Sequence, residues 1–170
     1  MSNYNYITPG GMQELRRKQI ALQIERPKVL EQVQTAREMG DLSENAEYHA
    51  AKERQRNIDR ELANISNRIS ALKIVDPKEI PKDSIRFGAR VKLQLVSISP
   101  SKNEKQLQKN KVETYDLVGV DEVWDTDNNI LRVSIASPIG EAMLGKKIDE
   151  EFEFNAPNGN TYNYKVLKIS

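Results

Sequence analysis

Cysteine is absent from the 170 residues, and histidine and tryptophan occur once each. Without thiols the chain has neither a disulfide framework nor a thiolate zinc site. A single imidazole and no glycine-rich phosphate loop leave little from which a self-contained active site could be built. An excess of charge of one sign is missing too, since 26 Lys and Arg stand against 25 Asp and Glu. Bulk charge therefore does not drive binding to a polyanion, and any contact with nucleic acid has to be local. No apolar run reaches membrane-spanning length, and the opening MSNYNYITPG lacks the basic-then-apolar order of a signal peptide. A cytoplasmic protein with no membrane contact is expected. Three Phe and one Trp give no grounds for an aromatic peptide-binding pocket, and 38% hydrophobic content is modest for one compact core.

What is present changes period once. From Thr8 to about Leu72 the apolar spacing is helical, and from about Arg86 onward it is mostly strand-like. Met12, Leu15, Gln19, Leu22, Arg26, Val29, Val33 and Ala36 fall three and four apart, on one stripe of a helix. Tyr48, Ala51, Gln55, Ile58, Leu62, Ile65, Ile69 and Leu72 repeat the spacing more cleanly. A short connection between two such arms predicts antiparallel packing. Pro27 removes a backbone donor inside the first arm and predicts a bend or interruption near Gln23 to Arg26.

The segment VDPKEIPKDS, Val75 to Ser84, carries two prolines and reads as a linker. Beyond it, IRFGARVKLQLVSI, ETYDLVGVDEV, ILRVSIA, EFEFNA and TYNYKVLKI are five candidate strands. Asn158-Gly159 suits a type I′ hairpin turn, and Pro138 to Leu144 reads as one short helix. Ser99 to Lys111 is polar and lysine-rich, a solvated loop by composition. The expected class is α+β with two domains. An antiparallel coiled-coil helical hairpin occupies 1–75, a linker 76–84, and a small antiparallel sheet domain with one short helix 85–170.

The connection between the arms, GDLSENAEYH from Gly40 to His49, holds Asp41, Glu44 and Glu47 within seven positions. Two readings compete. In the first, Asp41 caps the second helix and Glu44 reaches back in a capping box, both favoured by the helix dipole. In the second, the acids are carboxylate donors for a hard cation such as Mg²⁺. Two of them hold it weakly unless a partner completes the shell.

GDLSENAEYHAAKE, Gly40 to Glu53, resembles the tip motif of the Gre-type transcript cleavage factors, closest to their GreA branch. The likeness extends through RPKVLEQVQTAREMGDLSENAEYHAAKE, FGARVKL, VGVDEV, SPIGEAMLGKK and APNGNTYNYKVLKI, nearly the whole chain. It implies a bacterial transcription elongation factor whose coiled coil enters the secondary channel of RNA polymerase, with an FKBP-like domain on the channel rim. Asp41 and Glu44 would help the polymerase hold its second Mg²⁺ and orient water, so that backtracked RNA is cut from its 3′ end. The free protein would hold no Mg²⁺ stably, and it would be a monomeric cofactor, not an enzyme itself. Arg37 and Lys52 would touch the phosphates of the nascent RNA 3′ end, with Arg54 and Arg56 as weaker candidates. The opposing reading is a solvated helix face with ion pairs within the helix. His49 reads as structural, Tyr48 as a staple between the arms and Asn45 as a brace of the turn. Ser137, Pro138 and Ile139 match a family loop that contacts the polymerase, although a helix start explains the Ser-Pro pair as well. The Ser99 to Lys111 insertion departs from the family pattern. Two alternatives use the same rod, a channel-binding inhibitor and a non-catalytic, chaperone-like coiled-coil binder.

Overall fold

A computed structural model describes residues 5–38, 45–99, 110–123 and 130–170. Contacts divide the chain into two units: Met12–Leu72, and Met1–Gly11 together with Lys73–Ser170.

The first unit is built on helices α1, Pro9–Glu38, and α2, Ala46–Ala71. Every position of the two stripes read from the sequence is buried or half-buried. Leu22, Val29, Ile58 and Ile65 form the buried seam, flanked by Leu15, Leu62 and Ile69. Polar pairs across the seam fix its direction. Gln19 meets Ser66 at 2.9 Å, Lys18 meets Glu61 at 2.9 Å, Arg26 meets Asp59 at 2.6 Å and Arg54 meets Glu25 at 2.6 Å. Rising numbers on one helix meet falling numbers on the other, so the helices are antiparallel, as expected. These ion pairs are largely exposed and set register more than they add stability. Of the bend or interruption expected at Pro27, the interruption is absent, since α1 is helical on both sides of it. Pro27 is exposed, so its ring meets no packed neighbour helix, and the seam on the opposite stripe carries the helix past the lost backbone bond.

The second unit holds a five-stranded sheet in the order β5-β4-β3-β7-β6. Its strands are β3, Arg90–Ser99; β4, Val112–Val118; β5, Ile130–Ser134; β6, Glu151–Asn155; and β7, Thr161–Ile169. All five candidate strands form. The sheet is mixed, however, where an antiparallel one was expected: β3/β4, β3/β7 and β6/β7 are antiparallel, while β4/β5 is parallel, with Leu117 opposite Val133. A parallel pair needs a crossover, and after the 3₁₀ turn at Val120–Glu122 strand β5 begins at Ile130, opposite Thr114 near the start of β4. Apolar alternation specifies a strand's faces and not its direction, so this was not readable from the sequence.

Helix α3, Pro138–Met143, lies where the sequence placed it. Met143, Ile135, Leu93, Leu117, Val91 and Val166 are among the core side chains most removed from solvent. The turn between β6 and β7 is not type I′. Its closing bond runs from the Gly159 amide to the Ala156 carbonyl at 2.9 Å, which puts Pro157 and Asn158 at the centre, and only Gly159, at φ +83°, has left-handed backbone. Proline's fixed negative φ excludes the I′ geometry and favours a three-residue loop closed by a left-handed glycine.

Two features of this unit differ from the sequence reading. Strand β1, Tyr6–Ile7, pairs in parallel with β2, Lys73–Ile74, and Ile7 is fully buried. Tyr6 and Ile7 thus belong to the sheet unit, where the sequence reading put them with the hairpin. Two-residue strands are too short to show a period. The stretch read as a linker, 76–84, is packed as well. It contains a 3₁₀ turn at Pro77–Glu79, and Val75 and Ile80 rest on the sheet's core.

Candidate functional site

Because α1 and α2 are antiparallel, Glu38 and Asn45 lie at the same, closed end of the hairpin, remote from Met12 and Leu72. Asn45 holds this closed end together. Its side chain accepts from the Tyr48 amide at 3.0 Å and donates to the Ala36 carbonyl at 2.9 Å. One amide thus caps α2 and ties it to the last turns of α1, the bracing role expected of it. The capping-box reading of the acids gives way here. The N-cap of α2 is Asn45, and the residue three positions on is Tyr48, which carries no carboxylate. Asp41 and Glu44 themselves lie outside the described residues.

Around this end the described residues are polar or small. Arg37 is exposed in the last turn of α1. Lys52 is half-buried, and its ammonium donates to Gln55 at 3.2 Å. Arg54 is engaged across the seam with Glu25, so its charge is already partly spent. His49 is exposed, with its ring against the edge of Tyr48 at 5.7 Å. Tyr48 is half-buried on its stripe, and among the described residues its ring meets that of His49. Beside these residues lies an open groove of about 770 Å³, lined by Lys28, Ala36, Glu47, Ala50, Ala51 and Arg54 among others.

The other sequence-selected residues sit on the sheet unit. Ser137 is the N-cap of α3: its hydroxyl accepts from the Gly140 amide at 3.1 Å and donates to the Ser134 carbonyl at 2.7 Å. Pro138 follows at the first helical position and is exposed. Ile139 is half-buried against the core. The helix-start explanation of the Ser-Pro pair is therefore correct as structure, and only Pro138 of the three is freely presented. Gly140 has no room for a side chain, because a Cβ would lie 2.0 Å from the Ser134 carbonyl oxygen.

A cluster of perturbed titratable groups lies on β4 and β7. The Glu113 carboxylate accepts from the Tyr115 hydroxyl at 2.9 Å and the Tyr164 hydroxyl at 3.4 Å, and pairs with Lys111 at 2.7 Å. Burial pushes Glu113 up, but Lys111 and the two phenols outweigh it and hold the carboxyl below its usual range. Burial, then each other and Glu113, drive Tyr115 far above the ordinary phenol value. Each group's partner is another member of the cluster, so it braces the sheet. Among the described residues no three His, Asp or Glu stand close enough to hold a metal ion.

Comparison with known proteins places this geometry. The family model described as the N-terminal part of a transcription elongation factor matches residues 5–74, and the model for the GreA/GreB C-terminal part matches residues 80–170. The chain belongs to the GreA/GreB transcription elongation factors. Relatives in this family include transcription elongation factor GreA of Novosphingobium aromaticivorans, 38% identical over 159 residues that cover 94% of this chain and 90% of the relative. GreA of Rhodospirillum rubrum is 37% identical over 164 residues, covering 96% of this chain and 95% of its own. A solved GreA/GreB elongation factor from Nitrosomonas europaea is 17% identical and covers 97% of this chain and 98% of its own, at a TM-score of 0.39. The family's N-terminal region ends here at β2 and takes in β1 and the whole hairpin, and its C-terminal region takes in the sheet and α3.

Proposed function

We propose that this GreA/GreB factor acts on bacterial RNA polymerase, inserting the closed end of the hairpin into the secondary channel and stimulating the polymerase's own cleavage of backtracked RNA. The observation that carries the reading is the cap of α2. Asn45 supplies it, so the N-cap of the second helix does not call on Asp41. Carboxylate oxygens are the donors that Mg²⁺ takes, and two of them fall short of its octahedral shell. The donor set thus fits an ion shared with the polymerase and not one held by the free protein. A metal ion held there supplies activation of water and stabilisation of the leaving oxygen. Asp41 and Glu44 contribute charge and orientation at a point fixed by the hairpin, and the protein acts as a cofactor with no catalysis of its own.

Arg37 is placed to meet phosphates of the nascent RNA 3′ end, since it is exposed close to the closed end. Lys52 is the second candidate, at the expense of its bond to Gln55. Pro138, with Ser137 and Ile139 holding it in place, is the proposed contact with the channel rim. A monomer acting in the cytoplasm satisfies all of these roles. Among the described residues no helix is long and apolar enough to cross a membrane.

The test is to add the purified protein to a stalled, backtracked elongation complex carrying RNA labelled so that 3′-end cleavage is visible. Faster cleavage is the expected result. Suppressed basal cleavage would instead favour a channel-binding inhibitor, and binding without any change a passive coiled-coil binder.

A further inference from the structure

Helix α1 starts with a cap of which half comes from a distant part of the chain. Thr8 precedes the helix, and its hydroxyl accepts from the Gly11 amide at 3.0 Å, the usual bond from an N-cap to the third helical position. In a capping box the third residue completes the exchange with a Glu or Gln side chain that accepts from the amide of the cap. Gly11 has no side chain with which to do so. Glu122, 114 positions away, supplies the acceptor: one carboxylate oxygen takes the Thr8 amide at 3.1 Å and the other takes the Thr8 hydroxyl. A Cβ on Gly11 would lie 2.2 Å from Oε1 of Glu122 and 2.5 Å from its Cδ. The distant carboxylate therefore fills the space that the missing side chain would need.

The same carboxylate accepts from the Gly119 amide at 3.2 Å, within the 3₁₀ turn that follows β4. Gly119 is also pressed onto the N-terminal segment, since a Cβ there would lie 2.3 Å from the Tyr6 carbonyl oxygen. Glu122 is only 3% exposed. A buried carboxylate is costly unless its oxygens are satisfied, and here three donors and the positive end of a long helix do so. The backbone amides of β1's neighbour Thr8 and of the β4 turn are thus bound by one side chain.

We propose that Glu122 is a positioning residue. Within the sheet unit it latches the first turn of α1, the helix whose other end lies beside the closed end of the hairpin, to the turn after β4. The functional half of this inference rests on the cleavage-stimulating role proposed above. The latch itself does not.

Three variants separate anchoring from capping. Glu122→Ala removes the latch. Gly11→Ala expels the carboxylate without altering it, so adding Glu122→Ala to Gly11→Ala should cost little more, because both remove one interaction. The double variant Gly11→Glu with Glu122→Ala rebuilds an ordinary capping box within Thr8 to residue 11 and leaves the helix capped but untethered. Amide hydrogen exchange on the full chain should show Thr8 and Gly119 losing protection in Glu122→Ala. In the double variant Thr8 should be protected again and Gly119 should not. On backtracked complexes the double variant should lower the saturating cleavage rate about tenfold, as expected when a catalytic group is displaced, with little change in the concentration giving half-maximal effect. Wild-type exchange at Gly119 in Glu122→Ala, or a wild-type saturating rate in the double variant, would overturn the proposal. If the wild-type protein itself does not stimulate cleavage, the functional reading falls alone and the exchange experiment still decides the latch.

Discussion

At the scale of single residues, one side chain braces the closed end of the hairpin. Asn45 carries the structural duty with both ends of its amide, one on the α2 amide of Tyr48 and one on the α1 carbonyl of Ala36. Asn45→Ala should therefore destabilise the protein by about 1–2 kcal/mol, through loss of an N-cap and of a half-buried bond to a carbonyl. Asp41→Asn should leave the stability unchanged. Thermal melting followed by circular dichroism checks both, and a large loss in Asp41→Asn with none in Asn45→Ala would return the cap to Asp41. The sequence allowed the brace by Asn45 to be read, since Asn at a turn before an apolar stripe is a strong local signal. It did not allow the cap to be assigned between Asp41 and Asn45, because both residue types cap well and the choice depends on where the second helix begins.

At the scale of elements, long periodic patterns were legible and short or directional features were not. Both stripes of the hairpin follow from spacing alone because two arms repeat the same three-four rhythm over many turns. The five strands and α3 follow for a similar reason, together with Pro138 at the helix start. The two-residue strands β1 and β2, the packing of 76–84 and the parallel β4/β5 pair depend on tertiary contacts that leave no local period. Pro27 costs α1 a backbone bond without interrupting it, because the seam on the opposite stripe outweighs the loss. It remains costly in a helix interior, and it is exposed. Pro27→Ala should stabilise the hairpin by on the order of 1–3 kcal/mol, the helix penalty of proline less its benefit in restricting the unfolded chain. A urea titration followed by helicity measures it. No gain would mean that the surrounding chain already accommodates the lost donor without penalty.

At the scale of the whole molecule, the candidate site was legible only in part. The acids Asp41 and Glu44 stand out by their density, and the family likeness gives them a task, but neither spacing nor composition could weigh that task against capping. The structure adds that Asn45 occupies the N-cap of α2. The long-range carboxylate Glu122 was invisible in the sequence, since Gly11 looks like an ordinary glycine at a helix start and its partner is in another region of the chain. The central claim is that the protein lends carboxylates to a site that belongs to the polymerase, and one measurement tests it most directly. Cleavage of backtracked RNA is followed with wild-type protein and with Asp41→Asn over a range of Mg²⁺ and Mn²⁺ concentrations, alongside a competition assay for polymerase binding. Wild-type protein should accelerate cleavage, and Asp41→Asn should bind equally well yet accelerate little, with part of the loss recovered at high metal ion concentration. Full acceleration by Asp41→Asn at every metal ion concentration, or cutting of the RNA by the protein without polymerase, would contradict the claim.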